Sequence, residues 1–348
     1  CMMKAIIKTK KEYGFVSLEE TNKPEKIKSN EVLVQVNSAA ICGSDIHAYE
    51  YISSYQNFMK VPVILGHESS GIVVATGEDV TDFKVNDRVM GESNIYCGKC
   101  RNCRVGATHI CENNLMRGLT TDGVMAEYVV FSEQNLHHVP ENLSFSEAAA
   151  AQACTVSVHG MFRRFNIRAG SSVVVNGVGI IGLVAAQLAR LQGATEVIIV
   201  GADEDEETRM PIARELGFKT FNSQQNALSE EIQQILGVDR VDYVIDASGA
   251  APAIISAAQI TRKGGEILLL GLPGKEISFP FADIIRSEIN IRTSYTSNWI
   301  DYEETLNLVS RGCISIAPML REYTPDQVDL AFNDAVSKKV LKPVFRFR

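Results

Sequence analysis

Four cysteines lie close together in the first half of the chain. Cys97, Cys100, Cys103 and Cys111 follow the spacing C-x₂-C-x₂-C-x₇-C. Four thiolates can close a tetrahedral shell around structural zinc, although similar spacing can also hold an iron–sulfur cluster. The surrounding loop is polar, so four unligated thiols there would be prone to oxidation. The pattern predicts a structural zinc site.

A second group of metal-binding residue types is more scattered. Cys42 lies in CGSDIH, and His67 and Glu68 lie in GHE. A Cys, a His and a carboxylate can bind zinc and leave one position for a substrate, as catalysis requires. A single Cys in a strand is usually a small core residue, however, and a single His is often only hydrogen-bonded. From the residues alone, both interpretations stay open.

A glycine motif follows in the second half of the chain. Gly177, Gly179 and Gly182 form G-x-G-x-x-G after an apolar strand, and Ile180 and Ile181 begin the predicted helix. The first glycine permits a tight turn, the second lets a pyrophosphate approach, and the third lets the helix lie close to the strand. The helix N-terminus then offers N–H groups to the phosphates. The motif predicts a dinucleotide site; the alternative is an ordinary strand-to-helix turn.

The choice between NAD and NADP depends on the residues after the next strand. Asp203 opens a run of five acids, 203–207, and Arg209 follows it. The acids would repel a 2′-phosphate and favour NAD, whereas Arg209 could bind one and favour NADP. The acid run could also be only a solvated loop. We expect NAD, with NADP as the alternative.

The predicted secondary structure differs between the first part of the chain and the part that follows. Residues 1–150 read as short strands with turn residues between them, which suits a β-rich, barrel-like domain. A helix is predicted from Ser146, as its N-cap, and apolar strands then alternate with helices, one of them over residues 251–265. This alternation predicts a doubly wound parallel sheet covered on both faces, the α/β class. The last fifty residues mix helix and strand and could pack back onto the first domain.

Composition sets broad limits on the function. The 348 residues, 45% of them hydrophobic, suggest two domains, and the net charge of −8 argues against a nucleic-acid or anionic-membrane partner. No apolar run is long enough to span a bilayer, and no export signal is recognisable. We therefore expect a cytoplasmic protein, whose clustered cysteines bind metal rather than form disulfides.

The motifs CGSD and GHE, the four-cysteine loop and the late glycine motif occur in one order along the chain. Together they resemble the zinc-containing medium-chain alcohol dehydrogenases, among them the sorbitol (polyol) and threonine dehydrogenases. The resemblance covers nearly the whole chain. It implies a GroES-like catalytic domain at 1–153, a Rossmann domain at 154–293 and a C-terminal return to the catalytic domain at 294–348. It also implies a homodimer or homotetramer.

The resemblance implies two zinc ions per chain, one structural and one catalytic. Cys42 and His67 would be catalytic zinc ligands, and Glu68 a ligand or an exchanging neighbour. Near the domain junction the relatives place a Glu or a Cys close to the zinc, where this chain has Gln152, a neutral and poorer ligand. We expect Glu68 or water to complete the shell, with Cys154 as a less suitable substitute.

The resemblance also implies a route for the substrate proton. Ser44 would accept the proton of a metal-polarised hydroxyl, and His47 would pass it to solvent. Asp45 would orient His67, or cap the start of a helix, or do both.

The substrate is expected to be a small alcohol with a secondary hydroxyl. A polyol or sugar alcohol ranks first, L-threonine second, and a phosphorylated polyol is a further option. Tyr49, Tyr295 and Trp299 could line its pocket, although aromatic residues are more often core. An alternative of another class is a non-catalytic dinucleotide-binding protein with this fold. Such proteins usually lose the zinc ligands, so the alternative is disfavoured by the joint presence of Cys42, Ser44, His47, His67 and Glu68.

Overall fold

A computed structural model describes residues 1–225 and 227–348. The chain divides into two compact units. Unit 1 comprises Cys1–Ala153, Asn298–Arg311 and Met319–Arg348, and unit 2 comprises Cys154–Ser297 and Gly312–Pro318.

Strands occur along the whole chain. They are β1 (Met2–Lys8), β2 (Val16–Asn22), β3 (Glu31–Ala40), β4 (Val63–Ile64), β5 (Glu68–Thr76), β6 (Arg88–Gly91), β7 (Asn94–Ile95), β8 (Leu115–Met116), β9 (Tyr128–Ser132), β10 (Leu136–His138), β11 (Ser172–Asn176), β12 (Glu196–Gly201), β13 (Lys219–Asn222), β14 (Val241–Asp246), β15 (Thr261–Leu269), β16 (Asn290–Thr293), β17 (Leu320–Tyr323) and β18 (Lys342–Arg346).

Helices occur in both units. The helices are α1 (Gly43–Glu50), α2 (Ser53–Gln56), α3 (Arg101–Arg104), α4 (Phe145–His159), α5 (Ile180–Leu191), α6 (Met210–Glu215), α7 (Leu228–Leu236), α8 (Ala251–Ile260), α9 (Phe281–Arg286), α10 (Trp299–Ser310) and α11 (Val328–Val336). A turn of π-helix, Gly160–Arg164, continues α4. Among the described residues, no helix is long and apolar enough to cross a membrane.

The sheets of unit 1 enclose an apolar core. A seven-stranded sheet has the order β10-β6-β5-β3-β18-β17, with β9 also paired to β3, and β2-β1-β4 form a smaller sheet. Alternate side chains of β3 are fully buried, among them Val32, Val36 and Ala40. The predicted β-rich first domain is therefore confirmed as a fold class.

The last strand, β18, joins the sheet that contains Glu68. Ala40 of β3 pairs with Glu68 on one side and with Val344 of β18 on the other. Lys342 lies two residues before Val344, so the register brings this lysine beside Glu68.

Unit 2 is built on one parallel sheet. Its six strands have the order β13-β12-β11-β14-β15-β16, and every neighbouring pair is parallel. Runs such as Val173, Val174 and Val175 are buried because helices cover both faces of such a sheet. The predicted doubly wound α/β class is confirmed.

Two local predictions were wrong. Ser146 is not the N-cap of α4: Ser144 is, because its hydroxyl accepts from Glu147 N at 3.1 Å while its own amide donates to Glu147 Oε2 at 3.1 Å. The helix predicted over residues 251–265 ends at Ile260, where the chain enters β15.

Candidate active site and cofactor site

Cys42 lies at the N-cap of α1, in extended backbone. The carboxylate of Asp45, one turn into the helix, accepts hydrogen bonds from Cys42 N at 2.9 Å and from Gly66 N at 3.1 Å. Asp45 is 1% exposed. It therefore fixes the backbone on which Cys42 lies relative to the backbone leading to His67, and it also caps α1.

The Cys42, His67 and Glu68 donor atoms converge. A sulfur, a ring nitrogen and a carboxylate oxygen from these residues all lie within 4.8 Å of one another. Burial would raise the pKa of Cys42, but the neighbouring His67 and Lys342 lower it to about 6. Burial opposes the charged form of His67, yet Cys42 and Asp45 raise its pKa to about 9. A thiolate, an imidazole and a carboxylate are the donor set that zinc accepts, so the residues fit a zinc ion.

Lys342 is a site residue that sequence reasoning missed. Its Nζ lies 2.8 Å from Oε1 and 2.6 Å from Oε2 of Glu68. Burial raises the pKa of Glu68 to about 7, against the opposing charge of Lys342. Because Lys342 is buried and 274 residues away in sequence, no local signal could have connected it to Glu68.

Ser44 and His47 lie three residues apart on α1, and therefore on one side of the helix. Ser44 is half-buried and His47 is exposed. The His47 ring meets Tyr55 edge to face, with centroids 5.5 Å apart. A path from a half-buried hydroxyl to an exposed imidazole suits proton transfer to solvent.

Gln152 is buried on α4, and its amide has a protein partner. Gln152 Nε2 donates to Tyr302 Oη at 3.1 Å, and that hydroxyl accepts from Ser93 N, also at 3.1 Å. The expectation that Gln152 is a poor metal ligand stays a prediction. Tyr302 was not foreseen from the sequence, because only the fold brings α10 beside α4 in unit 1.

The four-cysteine loop brings its sulfurs within 4.8 Å of one another. Backbone amides point at them: Lys99 N and Cys100 N each lie 3.4 Å from Cys97 Sγ, and Cys97 N lies 3.3 Å from Cys111 Sγ. The amides of Lys99 and Cys100 lower the pKa of Cys97 to about 6. Amide donors stabilise thiolates, so Cys97, Cys100, Cys103 and Cys111 fit a structural zinc; none of them forms a disulfide.

The glycine loop of unit 2 has the conformation that its motif requires. Gly177 has φ +105°, in the range that favours glycine. A Cβ on Gly179, at the N-cap of α5, would meet nothing within 4 Å, so this side of the loop is open to a ligand. A Cβ on Gly182 would lie 2.1 Å from Gly177 O, because Ile180 and Ile181 start α5 tightly against β11. The three glycines thus provide a turn, an opening and a close contact.

One carboxylate of the acid run is buried, that of Asp205, whereas Asp203, Glu204 and Glu207 are exposed. Asp205 accepts from Ala202 N at 3.0 Å and lies 3.6 Å from Arg209 Nη1, and both side chains are largely buried. Asp203 Oδ1 accepts from Asn222 Nδ2 at 2.8 Å. The interpretation as a solvated loop is therefore wrong for Asp205, and Arg209 already has a carboxylate beside it.

Comparison with known proteins gives these sites a family. The model of the alcohol dehydrogenase GroES-like domain matches residues 28–141, and the model of the zinc-binding dehydrogenases matches residues 181–311. A sorbitol dehydrogenase from Halalkalibacterium halodurans is 35% identical over 346 residues, covering 98% of each chain. The chain belongs to the zinc-containing alcohol dehydrogenase family. It is a zinc-dependent, nicotinamide-linked oxidoreductase that acts on an alcohol.

Other members of this dehydrogenase family are nearly as similar. An L-threonine 3-dehydrogenase from Klebsiella pneumoniae is 32% identical, covering 91% of this chain and 92% of the relative. A zinc-binding dehydrogenase from Sinorhizobium meliloti, solved with NADP, has a TM-score of 0.89 at 29% identity and covers 99% of both chains. The predicted family, enzyme class, zinc and nicotinamide cofactor are confirmed. The relatives differ in the substrate that their names give.

The aromatic residues suggested for the dehydrogenase's substrate pocket lie in different settings. Tyr49 stacks on Phe332, with ring centroids 5.1 Å apart, and packs against the core of unit 1. Trp299 in unit 1 is 48% exposed, and Tyr295 in unit 2 is 43% exposed. Packing of Tyr49 agrees with an ordinary core role, and a substrate role for all three stays a prediction.

Proposed function

We propose that this dehydrogenase oxidises a secondary hydroxyl of a polyol or sugar alcohol to the ketone, reversibly, in a catalytic domain formed by unit 1. The observation that carries the proposal is the convergence of Cys42, His67 and Glu68 within 4.8 Å, next to the helix that bears Ser44 and His47. The relative named as a sorbitol dehydrogenase supports the substrate class.

Each residue has a separate task in the reaction. Cys42 and His67 hold the catalytic zinc, with Glu68 or water beside them and Gln152 outside the shell. When bound, zinc lowers the pKa of the substrate hydroxyl and the nicotinamide ring accepts the hydride. Ser44 Oγ takes the hydroxyl proton and passes its own to the His47 ring, which releases a proton to solvent. Asp45 holds the two ligand-bearing segments in register.

The cofactor task falls to unit 2, the Rossmann domain of the proposal. The open side of Gly179 and the N-terminus of α5 receive the pyrophosphate. The carboxylates of the run 203–207, which begins at Asp203, favour NAD, whose 2′-hydroxyl carries no phosphate. Arg209 is less suited to bind a 2′-phosphate because it already lies beside Asp205.

L-threonine is the second candidate substrate, because the threonine dehydrogenase relative is almost as similar. The test is reduction of NAD⁺ and NADP⁺, followed by nicotinamide absorbance, with sorbitol, xylitol, other polyols, a phosphorylated polyol and L-threonine. We expect turnover of a polyol with NAD⁺. Turnover of threonine alone would replace the first candidate with the second. No turnover of any alcohol by protein with both zinc sites filled would favour a non-catalytic relative.

We also propose that this dehydrogenase forms a homodimer or homotetramer. Leu272, Phe281 and Ile285 of unit 2 are 72%, 62% and 73% exposed. Phe281 and Ile285 lie four residues apart on α9 and so share one face, and exposed apolar side chains on one face are typical of a surface that a second copy covers. Light scattering coupled to size exclusion should give a dimer or tetramer, and Phe281→Glu with Ile285→Glu should shift it toward the monomer; a wild-type monomer would contradict the proposal.

A further inference from the structure

A cavity of about 420 Å³ in unit 2 is surrounded by arginine side chains. Arg163 and Arg164 come from the turn that continues α4, Arg168 from the loop between that turn and β11, and Arg292 from β16. All four are exposed to solvent. Among the described residues that line the cavity, Glu266 supplies the one carboxylate.

The charge of this lining contrasts with the rest of the molecule. Four positive side chains face one negative side chain, although the chain as a whole carries a net charge of −8. Glu266 is already engaged, because its Oε2 lies 3.2 Å from Arg292 Nε. The lining therefore keeps a net positive charge, which favours a bound anion.

Packing and hydrogen bonds hold the backbone beneath the arginines. Phe165 and Tyr243 are buried and pack edge to face, with ring centroids 5.3 Å apart. Arg164 Nε donates to Thr293 O at 3.0 Å, which ties the segment to β16. Gln192 donates from Nε2 to Met161 O at 3.1 Å and so ties the same segment to the end of α5. The arginines are thus mounted on a fixed backbone, which lowers the entropy cost of binding.

This cavity is separate from the cofactor loop. Tyr243 pairs with Val173 near the start of β11, whereas the glycine loop follows Asn176 at the other end of that strand. Val173 and Asn176 are three residues apart on this strand, which is a distance of about 10 Å. The pyrophosphate of the nicotinamide cofactor at Gly179 therefore does not account for the arginines.

We propose that the cavity binds a small phosphate-bearing anion, in addition to the cofactor. Guanidinium groups match phosphate oxygens with paired hydrogen bonds. The volume lies within the range of small-molecule sites, roughly 300–1,000 Å³. Free inorganic phosphate and a phosphate on a small organic carrier share this chemistry, and the experiment separates the two.

The test is calorimetric titration of the zinc-loaded enzyme with inorganic phosphate and with ribose 5-phosphate, at low salt and with NAD⁺ saturating the glycine loop. We expect one site per chain for at least one of these probes. Tighter binding of ribose 5-phosphate would indicate an organic carrier, and equal or tighter binding of inorganic phosphate would indicate the free ion. The absence of saturable binding by either probe would overturn the proposal.

Variants locate the site. Arg163→Gln with Arg168→Gln should weaken binding at least about tenfold, since each substitution removes a charge-assisted hydrogen bond to the phosphate. Arg168→Gln alone repeats the test at one exposed position, should the double variant not fold. Arg311→Gln in unit 1 is the control: it removes an exposed charge elsewhere and should leave affinity unchanged. Equal affinity in the cavity variants and wild type, or equal loss in the control, would refute the assignment.

Discussion

Ser44 and His47 make the sharpest prediction among single residues. Replacing His47 by Asn removes the exposed group that we propose passes the proton to solvent. General acid–base groups contribute about 10²–10⁴-fold, so kcat/KM for alcohol oxidation at neutral pH should fall by about 10²-fold while zinc content stays the same. Added imidazole should restore part of the rate. Activity within twofold of wild type, without imidazole, would rule out His47 as part of the relay.

Lys342 and Glu68 form an ion pair in which both side chains are buried, at 3% and 0% exposed. Lys342→Met leaves the Glu68 carboxylate without its cation. Loss of one partner from a buried pair costs about 3–5 kcal/mol, and urea unfolding should report a loss of that order. Lys342→Arg keeps the charge and is the matched control. A loss below about 1 kcal/mol in Lys342→Met would mean that the pair does not stabilise the fold.

At the scale of elements, a substitution in the turn from β11 into α5 should weaken cofactor binding without changing the stability of the fold. Gly179→Ala adds a Cβ that meets no protein atom within 4 Å, so the melting temperature should be unchanged. The same Cβ faces the opening proposed for the pyrophosphate, so the Kd for NAD⁺ should rise about tenfold, the equivalent of one lost hydrogen bond to a charged group. Gly274→Ala, whose Cβ is also unhindered, should change neither quantity. An unchanged Kd in Gly179→Ala would remove the pyrophosphate from this turn.

β10 and α10 are joined in unit 1 by a histidine between two carboxylates. His137 Nε2 lies 2.8 Å from Glu92 Oε1, and its Nδ1 lies 2.5 Å from Glu303 Oε1. Burial opposes the charged ring, but the hydrogen bonds to Glu303 and Glu92 outweigh it and raise the pKa of His137. A raised pKa in the folded state means that the stabilisation is complete below the unfolded pKa of about 6.5 and is lost as pH rises through the folded value.

Urea unfolding at several pH values checks this histidine. His137→Gln should be less stable than wild type at pH 6, and the difference should narrow as the pH rises through the raised pKa of the folded state. Glu303 is partly exposed, so its share of the effect is weakened by solvent. Parallel stability curves for the two proteins would show that folding does not shift the pKa of His137.

Local sequence signals were enough where residues close in sequence decide the structure. The three glycines, the four-cysteine loop and the cap that Asp45 gives α1 all act within one turn or loop, so their spacing carries the information. Ser146 was misplaced because S-x-x-E begins two residues earlier, at Ser144, a signal present in the sequence. Lys342 and Tyr302 needed the strand register and helix packing of unit 1, which no local spacing encodes.

At the scale of the whole molecule, the pattern of predicted strands and helices was enough to predict the β-rich and the α/β fold classes. Continuous apolar strands between helices can be satisfied only by a sheet covered on both faces, which is what unit 2 contains. Substrate identity lies at the other extreme. A polyol and threonine each present a secondary hydroxyl to the same metal-ligand set, so their distinction depends on pocket shape rather than on any motif of this chain.

The central claim, two different zinc sites on one chain, is tested most directly by counting metal. Zinc per chain would be measured by mass spectrometry, with alcohol oxidation on the same samples, for wild type and Cys42→Ser. We predict two zinc ions in wild type and one in Cys42→Ser, with activity lost and the fold retained, because the four-cysteine loop is untouched. One zinc in wild type, or two in an active Cys42→Ser, would contradict the account.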